Sequence, residues 1–446
     1  MSMERIFDQA SAAGLANLDA DSQLAGKFST SDELVVSDSF ANSLGLAAET
    51  IGTKWKASVT RAAFGDTCFT SETEAESCAR TFIRTFGKKA FRRTITDPDV
   101  AGLLPVYLET LARDTPGYAD LATVFTVHNL AYQGVFWHYD LPMTGLGWDL
   151  FTPAGLEFYG HLSLLKGGLV FADLLTTVSP TYAREIQSPE FGERMDGILR
   201  ERSADLTGIL NGLDVQAWNP ATDGDLPKRY DRDDLDGKAA CAAALRSEMG
   251  LPEPGRRTPL VGVVSRLAEQ KGIDLVAGAV PAIRAAGAQL VVLGSGEAPL
   301  EQLLGELALA HPESVAVRIG FDERLARRIY AGTDLFLMPS RYEPCGLGQL
   351  IALRYGTVPI VRRTGGLADT VRPWNGATGG TGFLFDELSA EACGAALARA
   401  FAVHADAAAW RHLVGNGMAA DFSWDASAES YVTCYRRAIK KARRHA

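Results

Sequence analysis

The sequence predicts an α/β protein of two domains with parallel sheets, and three observations lead there. Apolar strands alternate with helices through the second half, which is the pattern of a parallel sheet with right-handed crossovers. A chain of 446 residues is too long for one core. A stretch rich in Asp, Pro and Gly runs from Asn219 to Lys238, and Pro252-Glu-Pro-Gly255 makes a second break. Together these breaks put the domain boundary between Pro220 and Gly255.

Composition narrows the class. The chain is 47% hydrophobic and 22% charged, as soluble globular proteins are. A net charge of −10 argues against a chain devoted to nucleic acid or to an anionic membrane. Cys68, Cys78, Cys241, Cys345, Cys393 and Cys434 have neither metal-ligand spacing nor the look of a disulfide framework. No apolar run approaches membrane-spanning length, and no basic-then-apolar leader is visible. A cytoplasmic protein with reduced thiols is expected.

Residues 1 to 100 say least. Ser11 to Leu18 reads as a small-residue helix, Glu33 to Val36 as a short strand and Glu74 to Phe86 as a helix, none with a catalytic pattern. Leu103, Leu104, Tyr107, Leu108 and Leu111 then give helical spacing to Ala101–Arg113. Thr123 to Val127 is a β-branched and aromatic strand ending at His128-Asn129. A polar pair at the carboxyl end of a buried strand is where open α/β sheets place ligands, so His128 stands between a structural hydrogen bonder and a functional group. Ser163 to Phe171 is a helix carrying Lys166, Asp173 to Val178 a strand, and Ser179-Pro180 the start of another helix. Ile209 to Asp214 is a strand end and turn, and Lys238 to Met249 is helical.

The second half reads more cleanly. Strands are expected at Leu260–Val264, Gln289–Leu293, Val315–Phe321, Leu335–Met338 and Thr357–Val361, with a helix at Glu323–Ala331. The turn Gly294-Ser-Gly296 lacks the rest of a dinucleotide fingerprint and carries no weight. Met338 to Gly356 carries the most. Pro339 and Pro344 hold a tight loop after an apolar strand, and Gly346 opens a run in which Leu347, Leu350, Ile351 and Arg354 recur at helical spacing. Such a turn aims the N–H groups of Gly346, Leu347 and Gly348 outward at the positive end of a helix, an anion site that phosphate usually fills. Glu343, just before it, is placed to accept hydrogen bonds from a neutral polar group attached to that phosphate. From the pattern alone, an ordinary strand–loop–helix with a capping Glu has equal weight. Arg266 and Lys271 tilt the balance. They lie five residues apart in a glycine-containing loop after the Leu260–Val264 strand, on the same sheet rim. A planar fork and a compact charge suit a diphosphate.

The segments Ser265-Arg-Leu-Ala-Glu-Gln-Lys-Gly-Ile-Asp-Leu275, Pro339-Ser-Arg-Tyr-Glu-Pro-Cys-Gly-Leu347 and Arg363-Thr-Gly-Gly-Leu-Ala-Asp-Thr-Val371 resemble bacterial glycogen synthases and plant starch synthases. So do Phe125-Thr-Val-His-Asn-Leu-Ala-Tyr-Gln-Gly134, Leu164-Leu-Lys-Gly-Gly-Leu169, Thr176-Thr-Val-Ser-Pro-Thr-Tyr-Ala-Arg-Glu-Ile186 and Gly208-Ile-Leu-Asn-Gly-Leu-Asp214. The matches keep the family's order from about Ala101 onward, and several exceed eight residues.

The resemblance implies two Rossmann-like domains facing across a cleft, the GT-B arrangement. It divides the chain into residues 1–225 on the acceptor side, 226–424 binding the nucleotide sugar, and a 425–446 helix returning to the first domain. Phe422-Ser-Trp424 and the basic end at Arg443-Arg444 fit that helix. The implied reaction transfers glucose from ADP-glucose to the non-reducing end of an α-1,4-glucan such as glycogen, with retention at the anomeric carbon. Arg266 and Lys271 are implied to hold the donor diphosphate, Gly346, Leu347 and Gly348 to support its phosphates, and Glu343 to grip sugar hydroxyls. His128 is implied to lie beside the transferred glucose, with Asn211 and Cys345 in the same substrate pocket. No cofactor and no metal are expected, since Arg and Lys can stabilise the leaving diphosphate and no acidic metal motif is present. No nucleic-acid or membrane partner is expected either.

The first hundred residues depart from this pattern. The family's Lys-Thr-Gly-Gly-Leu loop has no counterpart; Ser11-Ala-Ala-Gly-Leu15 stands near its place without the lysine or paired glycines. Thr96-Asp-Pro-Asp-Val100 stands where the family has His-Asp-Trp. Gly348 replaces a common hydroxyl residue, and Ile351 means that a second glutamate is absent, as is usual in this family. Two readings stay open: an active glycogen synthase, or an impaired homologue or pseudoenzyme that binds glucan or nucleotide. A relative using UDP-glucose or another acceptor is a third.

Overall fold

The computed structural model describes residues 101–112, 121–253, 258–376 and 379–442. The elements expected before Ala101, and Arg113 at the end of the first predicted helix, lie outside the described residues. In chain order the strands are β1 (Val124–Val127), β2 (Val135–Trp137), β3 (Glu157–Phe158), β4 (His161–Ser163), β5 (Leu174–Thr177) and β6 (Leu206–Gly208). There follow β7 (Leu260–Val264), β8 (Gln289–Gly294), β9 (Val315–Ile319), β10 (Leu335–Met338), β11 (Val358–Arg362) and β12 (Phe383–Phe385).

Contacts divide the described chain into two units, one holding 101–112, 121 and 133–172, the other 122–132 and 173–442. In the first unit, β2, β4 and β3 form an antiparallel ribbon with Val135 opposite Ser163 and Phe158 opposite His161. The expected helix at Ala101 is a short α-helix, Leu103–Tyr107, that widens into a π-turn over Leu108–Ala112. It packs on the helix Leu164–Phe171 around Leu103, Val106, Leu156 and Leu162. Ser163 caps that second helix, its hydroxyl accepting from the Lys166 N–H at 3.2 Å.

The second unit contains two parallel, Rossmann-like sheets. One has the order β1-β5-β6. The other has the order β12-β11-β10-β7-β8-β9 and is parallel throughout. Counted from β7, that order is the doubly wound one, with the reversal falling between β7 and β10. Burial explains why these strands were readable: Leu260, Val261, Leu290, Val291, Leu335, Phe336 and Ile360 are fully buried, as strands covered on both faces must be. Helices Ile273–Ala285, Ala298–Ala310, Ala390–Ala405 and Ala407–Met418 have no counterpart among the expectations; in Ala390–Ala405 the many alanines leave the 3.6-residue period faint. No helix among the described residues is long and apolar enough to cross a membrane.

The last helix, Trp424–Ala442, returns to the first of these two sheets. Cys434 and Ala438 pack with Leu174 and Ile209. Ser427 donates to the Leu210 carbonyl at 2.7 Å, and Lys441 reaches the Asp173 carbonyl at 2.9 Å and Asp205 at 2.6 Å. Ala438→Asp sets an unpaired carboxylate on that apolar seam, which costs roughly 3–5 kcal/mol. Thermal melting and limited proteolysis should show the helix released first; a variant as stable as the parent would contradict this packing.

A candidate anion and sugar site at the strand-order reversal

Because β8 and β11 lie on opposite sides of the β7–β10 pair, the chain leaves β7 and β10 in opposite directions, and ligands of doubly wound sheets bind between such loops. The β7 loop carries Ser265 and Arg266, then a single turn over Glu269–Lys271. Gly272 follows with φ +65°, and a Cβ there would collide with the Pro339 carbonyl at the end of β10. That close approach seats Lys271 against the β10 loop. Its ammonium meets Glu343 Oε2 at 2.7 Å, and the Ser340 hydroxyl donates to the same oxygen at 3.1 Å. Glu343 is 5% exposed.

The pair borders a cavity of about 230 Å³, lined among others by Arg266, Lys271, Ser340, Glu343, Gly346, Leu347 and Gly348. Gly346 has φ +72°. The N–H groups of Gly346, Leu347 and Gly348 donate to no described residue, as the first donors of a helix must not. The helix they open, Gly348–Arg354, is seven residues long, so the individual N–H groups matter here more than a macrodipole. Gln349 secures the loop, its Nε2 donating to the carbonyls of Cys345 and Gly346, each at 3.0 Å, and to Thr370 Oγ1 at 3.2 Å.

Cys345 is buried under this loop and meets the backbone N–H of Asn211. Burial pushes its thiol up to about 12, and that N–H only partly offsets the shift. The Asn211 side chain is buried, and its Oδ1 has no partner; Gln349 Oε1 is in the same condition. Buried amide oxygens without partners are uncommon and are places for a polar guest or water.

His128 follows β1, as expected, but is not among the cavity-lining residues. Its ring keeps solvent access, and the partial desolvation that remains lowers its pKa below that of ordinary histidine. The segment beyond it reaches the anion loops. Tyr132 Oη accepts from Arg266 at 2.8 Å, and Asn129 is hydrogen bonded to Tyr342. Tyr182 Oη accepts from the Leu130 N–H at 3.0 Å. Lys166 is occupied elsewhere, by the carbonyls of Pro153 and Glu157. Sequence reading missed Tyr132, Ser340 and Gln349. Each lies within or directly beside a quoted motif, but only the folded geometry gives it work. Among the described residues, no group of three or more His, Cys, Asp and Glu is arranged to hold a metal ion.

Residues 100–201 match the family described as starch synthase catalytic domain, and residues 258–402 match glycosyl transferases group 1. A glycogen synthase of Anaeromyxobacter dehalogenans (strain 2CP-1) is 57% identical over 325 residues, covering 73% of this chain and 68% of that relative. A glycogen synthase of Desulforudis audaxviator is 50% identical over 342 residues, 76% of this chain and 68% of the relative. Among solved structures, the catalytic domain of starch synthase IV from Arabidopsis thaliana, bound to ADP and acarbose, is 34% identical with a TM-score of 0.72. That alignment covers 84% of this chain and 79% of the other.

A thiol with so high a pKa is protonated at neutral pH and poorly nucleophilic. Iodoacetamide at pH 8 should therefore leave Cys345 unmodified in the folded protein and label it in urea. Peptide mass mapping reads the result, and native labelling would show that the loop is more open than described.

Proposed function

The chain belongs to the glycogen and starch synthase family, and on that premise we propose that it transfers glucose from ADP-glucose to the non-reducing end of an α-1,4-glucan with retention at the anomeric carbon. The observation that carries this reading is the Lys271–Glu343 pair facing three undonated N–H groups across one cavity at the strand-order reversal. Arg266 and Lys271 bind the donor diphosphate, assisted by the N–H groups of Gly346, Leu347 and Gly348. Glu343, an acceptor of hydrogen bonds, grips hydroxyls of the hexose. His128 and Asn211 complete the glucose pocket, with Cys345 packed beneath it.

Transfer proceeds through an oxocarbenium-like transition state as negative charge grows on the departing ADP. Fixed cations and N–H groups stabilise that charge more than they stabilise bound donor, and this difference lowers the barrier. A neutral His128 imidazole accepts a hydrogen bond from a sugar hydroxyl; its lowered pKa keeps it neutral at pH 7. We further propose a domain boundary near residue 225 and a cytoplasmic place of work. The Asp-, Pro- and Gly-rich crossover between β6 and β7 supports the boundary.

One observation favours a second reading. The family match begins at residue 100, so the Lys/Gly-rich donor loop expected before it lies outside the matched segment. A homologue that binds glucan or nucleotide without turnover would have these features.

Incubation with radiolabelled ADP-glucose and glycogen separates the readings, label in polymer supporting transfer. Glu343→Ala and Lys271→Ala should each lower the rate by about 10²-fold or more, the usual effect of removing one fixed group that stabilises charge. Parent-like rates in either would remove those residues from the site. Because the His128 pKa is lowered, protonation and loss of kcat/KM should begin below the ordinary histidine pKa of about 6.5. A pH–rate profile with its acid limb above that value would contradict the role given to the ring.

A further inference from the structure

We propose that Glu185 is a positioning residue for the donor site, holding the Gly365–Thr370 helix against the Glu343 loop; the inference deepens the functional reading above and rests on it. Glu185 lies at the end of the helix Pro180–Glu185, which follows β5, and is far from the cavity in sequence. Its Oε1 accepts from the Gly365 N–H at 3.0 Å and from the Thr364 hydroxyl at 2.9 Å, and Oε2 accepts from the same N–H at 3.1 Å. Gly365 has φ +42°, and a Cβ there would overlap the Glu343 carbonyl oxygen. The next N–H, of Gly366, donates to the carbonyls of Glu343 and Pro344 at 3.0 and 3.2 Å.

The opposite end of the contact is built the same way. Asp369 accepts from the Ser179 hydroxyl at 2.6 Å and from the Thr181 N–H and hydroxyl at 2.9 and 2.6 Å. Two short helices thus exchange carboxylates, each filling the other's first turn. From Thr370 the connection continues to Gln349, which secures Cys345 and Gly346. Burial raises the Glu185 pKa despite its bonds, so the carboxylate is held there at a cost. The geometry delivers that carboxylate's grip to the backbone of Glu343, the residue assigned to the hexose. Arg266 and Lys271 stand on the β7 loop, and Lys271 touches this connection through its ion pair with Glu343. Because the cations and N–H groups of this loop stabilise the growing charge more than they stabilise bound donor, misplacing it lowers kcat more than it raises KM.

Glu185→Ala in the full chain should lower kcat at least tenfold while KM for ADP-glucose changes less than threefold, and Glu185→Gln, which keeps one acceptor oxygen, should stay within about threefold of the parent. Hydrogen exchange of the amides of residues 343–348 and 364–370 should quicken in Glu185→Ala. If that variant does not fold, Thr364→Val, which removes one donor, is read by the same exchange measurement. Unchanged exchange, or loss of kcat in proportion to loss of folded protein, overturns the proposal. If the parent chain transfers no glucose, the functional reading falls, while faster exchange at 343–348 still upholds the positioning role and unchanged exchange still overturns it.

Discussion

The reversal of strand order between β7 and β10 is the constraint from which the candidate site follows. Two neighbouring parallel strands send their chains to opposite edges of the sheet, so a gap opens between the loops above them. Into that gap the β7 loop delivers a guanidinium and an ammonium, and the β10 loop a carboxylate and three N–H groups. The Lys271–Glu343 pair then does more than balance charge. A buried carboxylate alone would be strongly unfavourable, and Lys271 and Ser340 give it partners and fix its direction. Each partner arrives from a different strand, so the pair also measures whether the sheet is correctly assembled.

The framework around this gap shows the same economy. Gly272 and Gly365 have left-handed φ values where a side chain would strike a carbonyl of the β10 loop. Backbone contact is thereby closer than side chains allow, and the loop is confined from both sides. At the other end of these strands, before β10 and β11 begin, Lys238 donates to the carbonyls of Ala331 and Tyr355 and to Thr357 Oγ1. Two helix C-termini that would otherwise end unsatisfied are tied to one ammonium.

Much of the second half was legible because its strands are buried on both faces and leave plain apolar runs, and because Arg266, Lys271 and Glu343 stand directly after such runs. What was not legible depends on separation or on faint pattern. Tyr132 meets Arg266 across 134 residues, and Glu185 meets Gly365 across 180; no spacing rule spans such distances. The strands of the ribbon are two or three residues long, too short for alternation to register. Asn211 was placed by family likeness, and its neighbour Cys345 became intelligible only when the two were seen in contact.

The terminal helix has a consequence for how the molecule comes into being. Leu174 and Ile209 are synthesised more than two hundred residues ahead of their cover, Cys434 and Ala438. The earlier sheet must wait with an uncovered greasy face while some two hundred further residues are polymerised, which makes its nascent form a natural client for chaperones.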